Sequence, residues 1–171
     1  MDGLVALARK TIVQYVRTGG LPDPPDPLPP EMIARAGVFV SLKKNGELRG
    51  CMGTAIPREE NVAREVISNA VSAATRDPRF APVQPEEADA LRISVDVLSN
   101  PEPVADLGSL DPRRYGVIVR SGHRTGLLLP DLEGIDSADL QISIARRKAG
   151  IGENEPAEIL RFEVSRHTEE D

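Results

Sequence analysis

A short hairpin pattern is the strongest constraint on how this chain can fold. Valine or leucine occupies every second position of residues 38–42, as expected for a strand with one buried face. An Asn-Gly pair follows at residues 45–46, and this pair favours the tight type I′ turn that joins antiparallel strands. The sequence therefore predicts a hairpin whose return strand runs through residues 48–54.

The predicted return strand carries the single cysteine of the 171-residue chain, Cys51. Strand alternation places Arg49 and Cys51 on the same face, and a nearby guanidinium favours the nucleophilic thiolate form of cysteine. Gly50 and Gly53 allow the backbone to approach another surface closely. We therefore expect Cys51 to be a catalytic residue and Arg49, Gly50 and Gly53 to bind substrate. The alternative is that the thiol packs as a small hydrophobic side chain.

A second candidate segment follows a predicted helix. Asn61 caps this helix, which is expected to end near Asp77 because the residue before a proline disfavours helical geometry. Asp77 and Arg79 carry opposite charges. They form either a salt link that holds the turn or, with Arg49, the polar lining of a site that recognises a carboxylate or phosphate.

His123 lies in a loop of hairpin composition, residues 121–126, between two apolar runs. A histidine at the tip of such a loop is most often solvated. The functional alternative is that His123 acts as the proton carrier for Cys51, since residues distant in sequence can meet in the fold.

Hairpins and helices both separate the predicted strands. Further strands are expected at residues 93–97 and 160–164, and further helices begin at Asp2 and at Asp136 or Ser137. This pattern predicts an α+β fold with a mainly antiparallel sheet and flanking helices.

The chain length allows a single domain, residues 1–171, with a second lobe. Residues 21–30 contain six prolines, which prevent a regular helix or strand. We expect this segment to be a surface connector within the domain.

Composition argues against several classes of function. The net charge of −6 disfavours binding to nucleic acid. One cysteine and two distant histidines argue against a metal site, and no motif for a cofactor is present. No export signal or membrane-spanning apolar run is found, so we expect no membrane association and a cytoplasmic protein.

The chain resembles the AMMECR domain family, in the branch called AmmeMemoRadiSam system protein A. The resemblance extends from the first helix to the last strand. Its most specific blocks are LRGCMGT at residues 48–54, AATRDPRF at 73–80, LLLP at 127–130 and KAG at 148–150. These four blocks in this order are what identify the family.

This resemblance implies an α+β fold in which a second, smaller lobe and the cysteine strand form a groove. It also implies two partners, a Memo-like protein and a radical S-adenosylmethionine (radical SAM) protein. We therefore expect a component of a three-part system that binds or processes a small anionic substrate. The alternatives are a non-catalytic adaptor for the partner proteins and, least favoured, a nucleic-acid-associated regulator.

Overall fold

The computed structural model describes residues 1–169 and has the mixed α+β architecture that the sequence predicts. The α-helices are α1 (Gly3–Thr18), α2 (Pro30–Ile33), α3 (Val62–Thr75) and α4 (Ala138–Ala149). The strands are β1 (Val38–Lys44), β2 (Glu47–Thr54), β3 (Leu91–Leu98), β4 (Glu102–Pro103), β5 (Gly116–Ser121), β6 (Arg124–Leu128), β7 (Glu158–Phe162) and β8 (Val164–Thr168). Two 3₁₀ helices, Pro85–Ala90 and Leu107–Ser109, were not predicted.

The chain divides into two compact units. The first contains Met1–Val97 and the chain from Ser165 onward, and the second contains Leu98–Val164. Within residues 1–169 each unit has one four-stranded sheet, with strand order β2-β1-β3-β8 in the first unit and β4-β7-β5-β6 in the second. No α-helix in this part of the chain is long and apolar enough to cross a membrane.

The predicted hairpin is present in the first unit, with β2 at the edge of the sheet and β1 beside it. Asn45 and Gly46 have φ angles of 52° and 78°, as a type I′ turn requires. β1 pairs antiparallel with both β2 and β3. Val40 and Leu42 are fully buried in a core that also contains apolar residues of α1 and α3. These two helices therefore cover one face of the sheet.

Local capping signals set the ends of α1 and α3. The Asp2 carboxylate accepts hydrogen bonds from the N–H groups at the start of α1, and Gly19 ends the helix with a φ of 75°. The Asn61 side chain accepts a hydrogen bond from Arg64 N at 2.9 Å, which confirms the predicted start of α3.

The second unit contains a hairpin of β5 and β6 packed against α4. Ser137, rather than Asp136, caps α4, and Gly150 ends it with a φ of 71°. Val117 and Val119 of β5 are fully buried in the core of this unit. Both elements agree with the sequence analysis.

The prediction of one continuous final strand at residues 160–164 is wrong. Glu163 interrupts it, so that β7 joins the second sheet and β8 joins the first. The Glu163 N–H donates to Ser99 Oγ at 2.8 Å, and its carbonyl accepts from Ser99 N at 2.9 Å. Both backbone groups of Glu163 are therefore bonded to one residue that is distant in sequence.

Gly50 allows α3 to pack closely against β2. A Cβ atom built on Gly50 would lie 2.2 Å from the carbonyl oxygen of Ala73 in α3. The carbonyl oxygen belongs to the backbone and the backbone fixes the position of a Cβ atom, so a rotamer change cannot relieve the overlap. Only a shift of the helix or the strand can make room.

We expect Gly50→Ala to destabilise the protein by about 1 to 3 kcal/mol, the usual cost of overpacking a core. Urea unfolding followed by circular dichroism measures the change. The matched control is Gly152→Ala, because the nearest atom to its Cβ is the flexible Glu155 carboxylate at 3.4 Å. Equal stability of the two variants would contradict the packing role of Gly50.

Candidate functional site

Cys51 lies on the sheet face opposite the buried side chains of β1. It pairs with Ser41 across the hairpin, and Ser41 alternates with the buried Val40 and Leu42. Cys51 Sγ is 3.2 Å from the Ser41 hydroxyl, a hydrogen bond in which either atom can donate. The cysteine is half-buried. The thiol is therefore partly accessible and has one polar neighbour on its own sheet.

Asp77 connects the turn after α3 to the edge of the sheet. Its side chain is only 3% exposed, and its Oδ2 accepts a hydrogen bond from the Cys51 backbone N–H at 3.0 Å. Oδ1 accepts from the backbone N–H of Arg79 at 3.0 Å. A buried carboxylate is stable only when such donors surround it. Asp77 therefore fixes the turn against β2.

Arg79 forms an ion pair with Asp77. Its Nε and Nη2 donate to the two Asp77 oxygens at 3.0 and 2.8 Å, and Nη2 also lies 3.4 Å from the Cys51 carbonyl oxygen. The Arg79 side chain is 56% exposed. Its Nη1 has no hydrogen-bond partner among residues 1–169. The predicted salt link is confirmed, and it leaves one edge of the guanidinium available.

Burial dominates the electrostatics of the thiol. It raises the pKa of Cys51 above the ordinary value, and the carboxylates of Asp96 and Asp77 act in the same direction. The Ser41 hydroxyl and the Arg79 guanidinium oppose this shift without cancelling it. Hydrogen bonds from Arg79 hold the pKa of Asp77 well below its usual range. At neutral pH the site contains a neutral thiol beside an ionised Asp77–Arg79 pair.

Arg49 does not lie beside the thiol as predicted. β2 has a bulge at this position. Leu42 of β1 pairs with Gly50 and Lys43 pairs with Leu48, so Arg49 pairs with no residue of β1. The alternation from which the shared face was predicted is therefore interrupted. The cation that acts on the Cys51 thiol is Arg79.

Arg49 instead binds the segment that follows the Asp77–Arg79 turn. Its Nη1 donates to the Ala81 carbonyl at 2.8 Å, and its Nε and Nη2 donate to the Glu87 carboxylate at 3.0 and 3.1 Å. Lys44 Nζ and the Gln84 N–H also donate to this carboxylate. These bonds, Arg49 first, lower the pKa of Glu87 to about 2. Arg49 therefore holds this segment against β2, and its expected contact with substrate stays a prediction.

The two glycines of β2 are explained by packing. Gly50 lies against the Ala73 carbonyl, and a Cβ on Gly53 would lie 2.3 Å from the Phe39 ring. Their expected contact with substrate has no support from these neighbours. Each glycine instead allows a close approach within the first unit.

His123 lies in the second unit, in the exposed turn between β5 and β6. Gly122, at the first position of this turn, has a φ of 61°. The turn agrees with the hairpin predicted from sequence. The role of His123 as a proton carrier stays a prediction.

Ser41 and Asp96 were missed in the sequence analysis. The alternation of β1 places Ser41 opposite the buried face, but the turn alone would pair it with Gly50. The bulge at Arg49 shifts its partner to Cys51, so this pairing could not be predicted from the turn. Asp96 is buried and pairs with Arg166 at 2.8 Å, a contact between distant residues that leaves no local signal. No three His, Cys, Asp or Glu side chains within residues 1–169 form a group that could hold a metal ion.

Comparisons with known proteins identify relatives along the whole chain. A model of the AMMECR1 family matches residues 5–167. A protein of Thermotoga maritima is 51% identical over 166 residues, which are 95% of each chain. A Clostridium acetobutylicum protein is 47% identical over 98% of this chain, which spans only 36% of that protein. The crystal structure of an uncharacterized protein from Pyrococcus horikoshii has a TM-score of 0.88 at 33% identity, covering 95% of this chain and 88% of that one.

The raised pKa of Cys51 predicts slow alkylation by iodoacetamide at neutral pH, because only the thiolate reacts. Ser41→Ala removes a hydrogen bond that favours the thiolate, so the midpoint of the rate-against-pH curve should move to higher pH. Ser94→Ala is the matched control, since Ser94 pairs with Ser41 on the same sheet face. A midpoint below that of free cysteine, or equal shifts in both variants, would rule out this description of the thiol.

The lowered pKa of Glu87 predicts an acid-sensitive contribution to stability. The carboxylate stabilises the fold when ionised, so its contribution is complete above the unfolded pKa and is lost as the pH falls from about 4.5 towards 2. Glu87→Gln should cost about 1 to 2 kcal/mol at pH 7 and much less near pH 2. Urea unfolding across this range measures the difference, with Glu47→Gln as an exposed control on β2. A cost for Glu87→Gln that does not change with pH would be evidence against ionic stabilisation.

Proposed function

The chain belongs to the AMMECR1 family, and from that membership we propose that it binds a small anionic ligand for chemistry carried out with partner proteins. Residues 1–171 act as one domain with two lobes. The binding group is Arg79, held by Asp77 beside Cys51. The single observation that carries the proposal is an exposed guanidinium fixed by a buried carboxylate.

The state of Arg79 suits it to anion binding. Two of its nitrogens are held by Asp77, so little side-chain freedom is left to lose when a ligand binds. The remaining nitrogen, Nη1, can donate to a carboxylate or phosphate oxygen. Such charge-assisted hydrogen bonds are among the stronger polar contacts in proteins.

The surroundings of Cys51 favour binding over nucleophilic catalysis. The thiol is protonated at neutral pH because burial raises its pKa. A nucleophilic thiol needs a base, and Asp77 is a poor one, because hydrogen bonds from Arg79 hold its pKa well below the usual range. Both oxygens of Asp96, the other carboxylate that acts on the thiol, are already bonded to Arg166.

Cysteine-dependent catalysis is the second candidate function. The observation in its favour is that the Arg79 guanidinium acts on a half-buried thiol and offsets part of the rise in pKa that burial causes. A partner or ligand that supplied a base would complete the requirement, and His123 remains a candidate for this role. The two functions predict different outcomes for a variant without the Cys51 thiol, because only catalysis requires the sulfur atom.

The partners proposed from the family resemblance are a Memo-like protein and a radical SAM protein. The C. acetobutylicum relative supports the proposal that this domain acts together with other protein segments, since the matching region is only 36% of that chain. In that protein the domain is joined to a longer sequence. A pure adaptor would contact these partners without holding a ligand at Arg79.

We expect phosphate or acetate added to the ¹⁵N-labelled protein to shift the NMR signals of Arg79 and Cys51 in a saturable way. Arg79→Gln should abolish these shifts, whereas Arg147→Ala, which removes an exposed arginine of the second unit, should retain them. Cys51→Ala should also retain binding.

Three results would change the assignment. Shifts that are unaffected by Arg79→Gln would disprove binding at Arg79. Absence of any saturable shift would favour the adaptor function. Loss of binding in Cys51→Ala, with the remaining spectrum unchanged, would favour direct participation of the sulfur.

A further inference from the structure

A cavity lies in the first unit, between α1, α3 and the proline-rich connector at residues 21–30. We call it the α3 cavity. Its volume is about 430 Å³, within the range of roughly 300 to 1,000 Å³ found for ligand sites. Its lining residues do not include Cys51, Asp77 or Arg79. The α3 cavity is therefore distinct from the site proposed above.

The α3 cavity follows the length of its helix. Arg64, Ser68 and Val71 line it at helical spacing, and Arg76 lines it just beyond the last turn. At 1.5 Å per residue, Arg64 and Arg76 are about 18 Å apart along the axis. An elongated ligand is needed to reach both ends.

The floor and one wall of the cavity are apolar. Ile67 and Val71 form the floor and are almost fully buried. Leu21 and Pro22 of the connector lie opposite, and Leu21 is 54% exposed. Prolines restrict the connector backbone, so the wall is formed before a ligand arrives. An apolar ligand would cover the exposed leucine.

Opposite charges without partners lie beyond the two ends of α3. The Arg76 guanidinium makes no ion pair or hydrogen bond within the part of the chain that the structure describes. Arg76 caps α3 with its backbone N–H, and its side chain takes no part in the cap. The Glu59 carboxylate, just before α3, is also unpaired with any described residue. Arg64 is already paired with Glu60 at 2.6 Å. Asp23 of the connector also lines the cavity, and its carboxylate is unpaired with any described residue. The cavity thus offers the Arg76 cation beyond one end of α3, the Glu59 carboxylate beyond the other, and a second carboxylate on the connector.

Two hydroxyl groups also line the cavity. Tyr15 of α1 and Ser68 of α3 both line the cavity, and neither side chain is hydrogen-bonded to any of residues 1–169. Each can donate to a carbonyl and accept from an N–H group. A peptide backbone supplies both kinds of partner at regular intervals.

We propose that the α3 cavity binds a short extended peptide with free ends. Its carboxylate pairs with Arg76, its amino group pairs with Glu59, and its apolar side chains cover Ile67 and Val71. Both charged groups lie beyond the ends of α3, whose 14 residues are about 21 Å long at 1.5 Å each. An extended chain of about six residues at ~3.3 Å each spans that length. This proposal does not depend on ligand binding at Arg79.

The test uses the hexapeptide Ala-Leu-Ala-Leu-Ala-Leu and two derivatives, its C-terminal amide and its N-acetyl form. Titration into the ¹³C-methyl-labelled protein should shift the methyl signals of Ile67 and Val71. We expect each blocked form to bind about tenfold more weakly, because it loses one charge-assisted contact. In Arg76→Gln the free acid and the amide should bind equally, and in Glu59→Gln the free and acetylated amines should bind equally.

Two observations distinguish the α3 cavity from the Arg79 site. The peptide should leave the NMR signals of Arg79 and Cys51 in place, and Arg147→Ala should leave peptide binding unchanged, which keeps the outcome independent of the anion experiment. The proposal is overturned if the amide and the acid bind equally to the unmodified protein, or if no methyl signal moves at millimolar peptide. If decanoate displaces the peptide, and its binding depends on Arg76 but not on Glu59, the cavity is assigned to fatty carboxylates instead.

Discussion

The Asp77 carboxylate holds together the part of the first unit on which the candidate site depends. One oxygen accepts from the Cys51 N–H of β2, and the other accepts from the Arg79 N–H in the turn after α3. The Arg79 guanidinium is bonded to both oxygens. Removing these donors would leave an uncompensated buried charge, which is strongly destabilising. Strand, turn and arginine therefore keep one arrangement, while the outer edge of Arg79 remains exposed.

Elements decided by a few neighbouring residues were predictable from sequence. The Asn-Gly turn at residues 45–46 and the caps at Asn61 and Gly150 satisfy backbone groups within one or two turns of themselves, so their signals are local. The break at Glu163 is different. Its backbone is bonded to Ser99, which lies 64 positions away, and no local pattern marks that contact.

The candidate site was predicted only where its geometry is local. The Asp77–Arg79 pair spans two residues, and opposite charges around a proline were enough to indicate a salt link. Arg49 was misplaced because the bulge in β2 depends on how β1 and β2 pair. The pKa of Cys51 also depends on the fold, because burial raises it by more than the Ser41 hydroxyl and the Arg79 guanidinium lower it, and the sequence left both a reactive and a packed thiol open.

The same salt link limits how another chain could approach β2. This strand lies at the edge of its sheet, where unpaired backbone groups can accept an added strand. At Cys51 these groups are occupied, since the N–H donates to Asp77 and the carbonyl lies 3.4 Å from Arg79 Nη2. An added strand would have to displace a buried, ionised carboxylate, at a large cost in free energy. A ligand or partner at this position therefore meets the exposed guanidinium of Arg79 before it meets the strand.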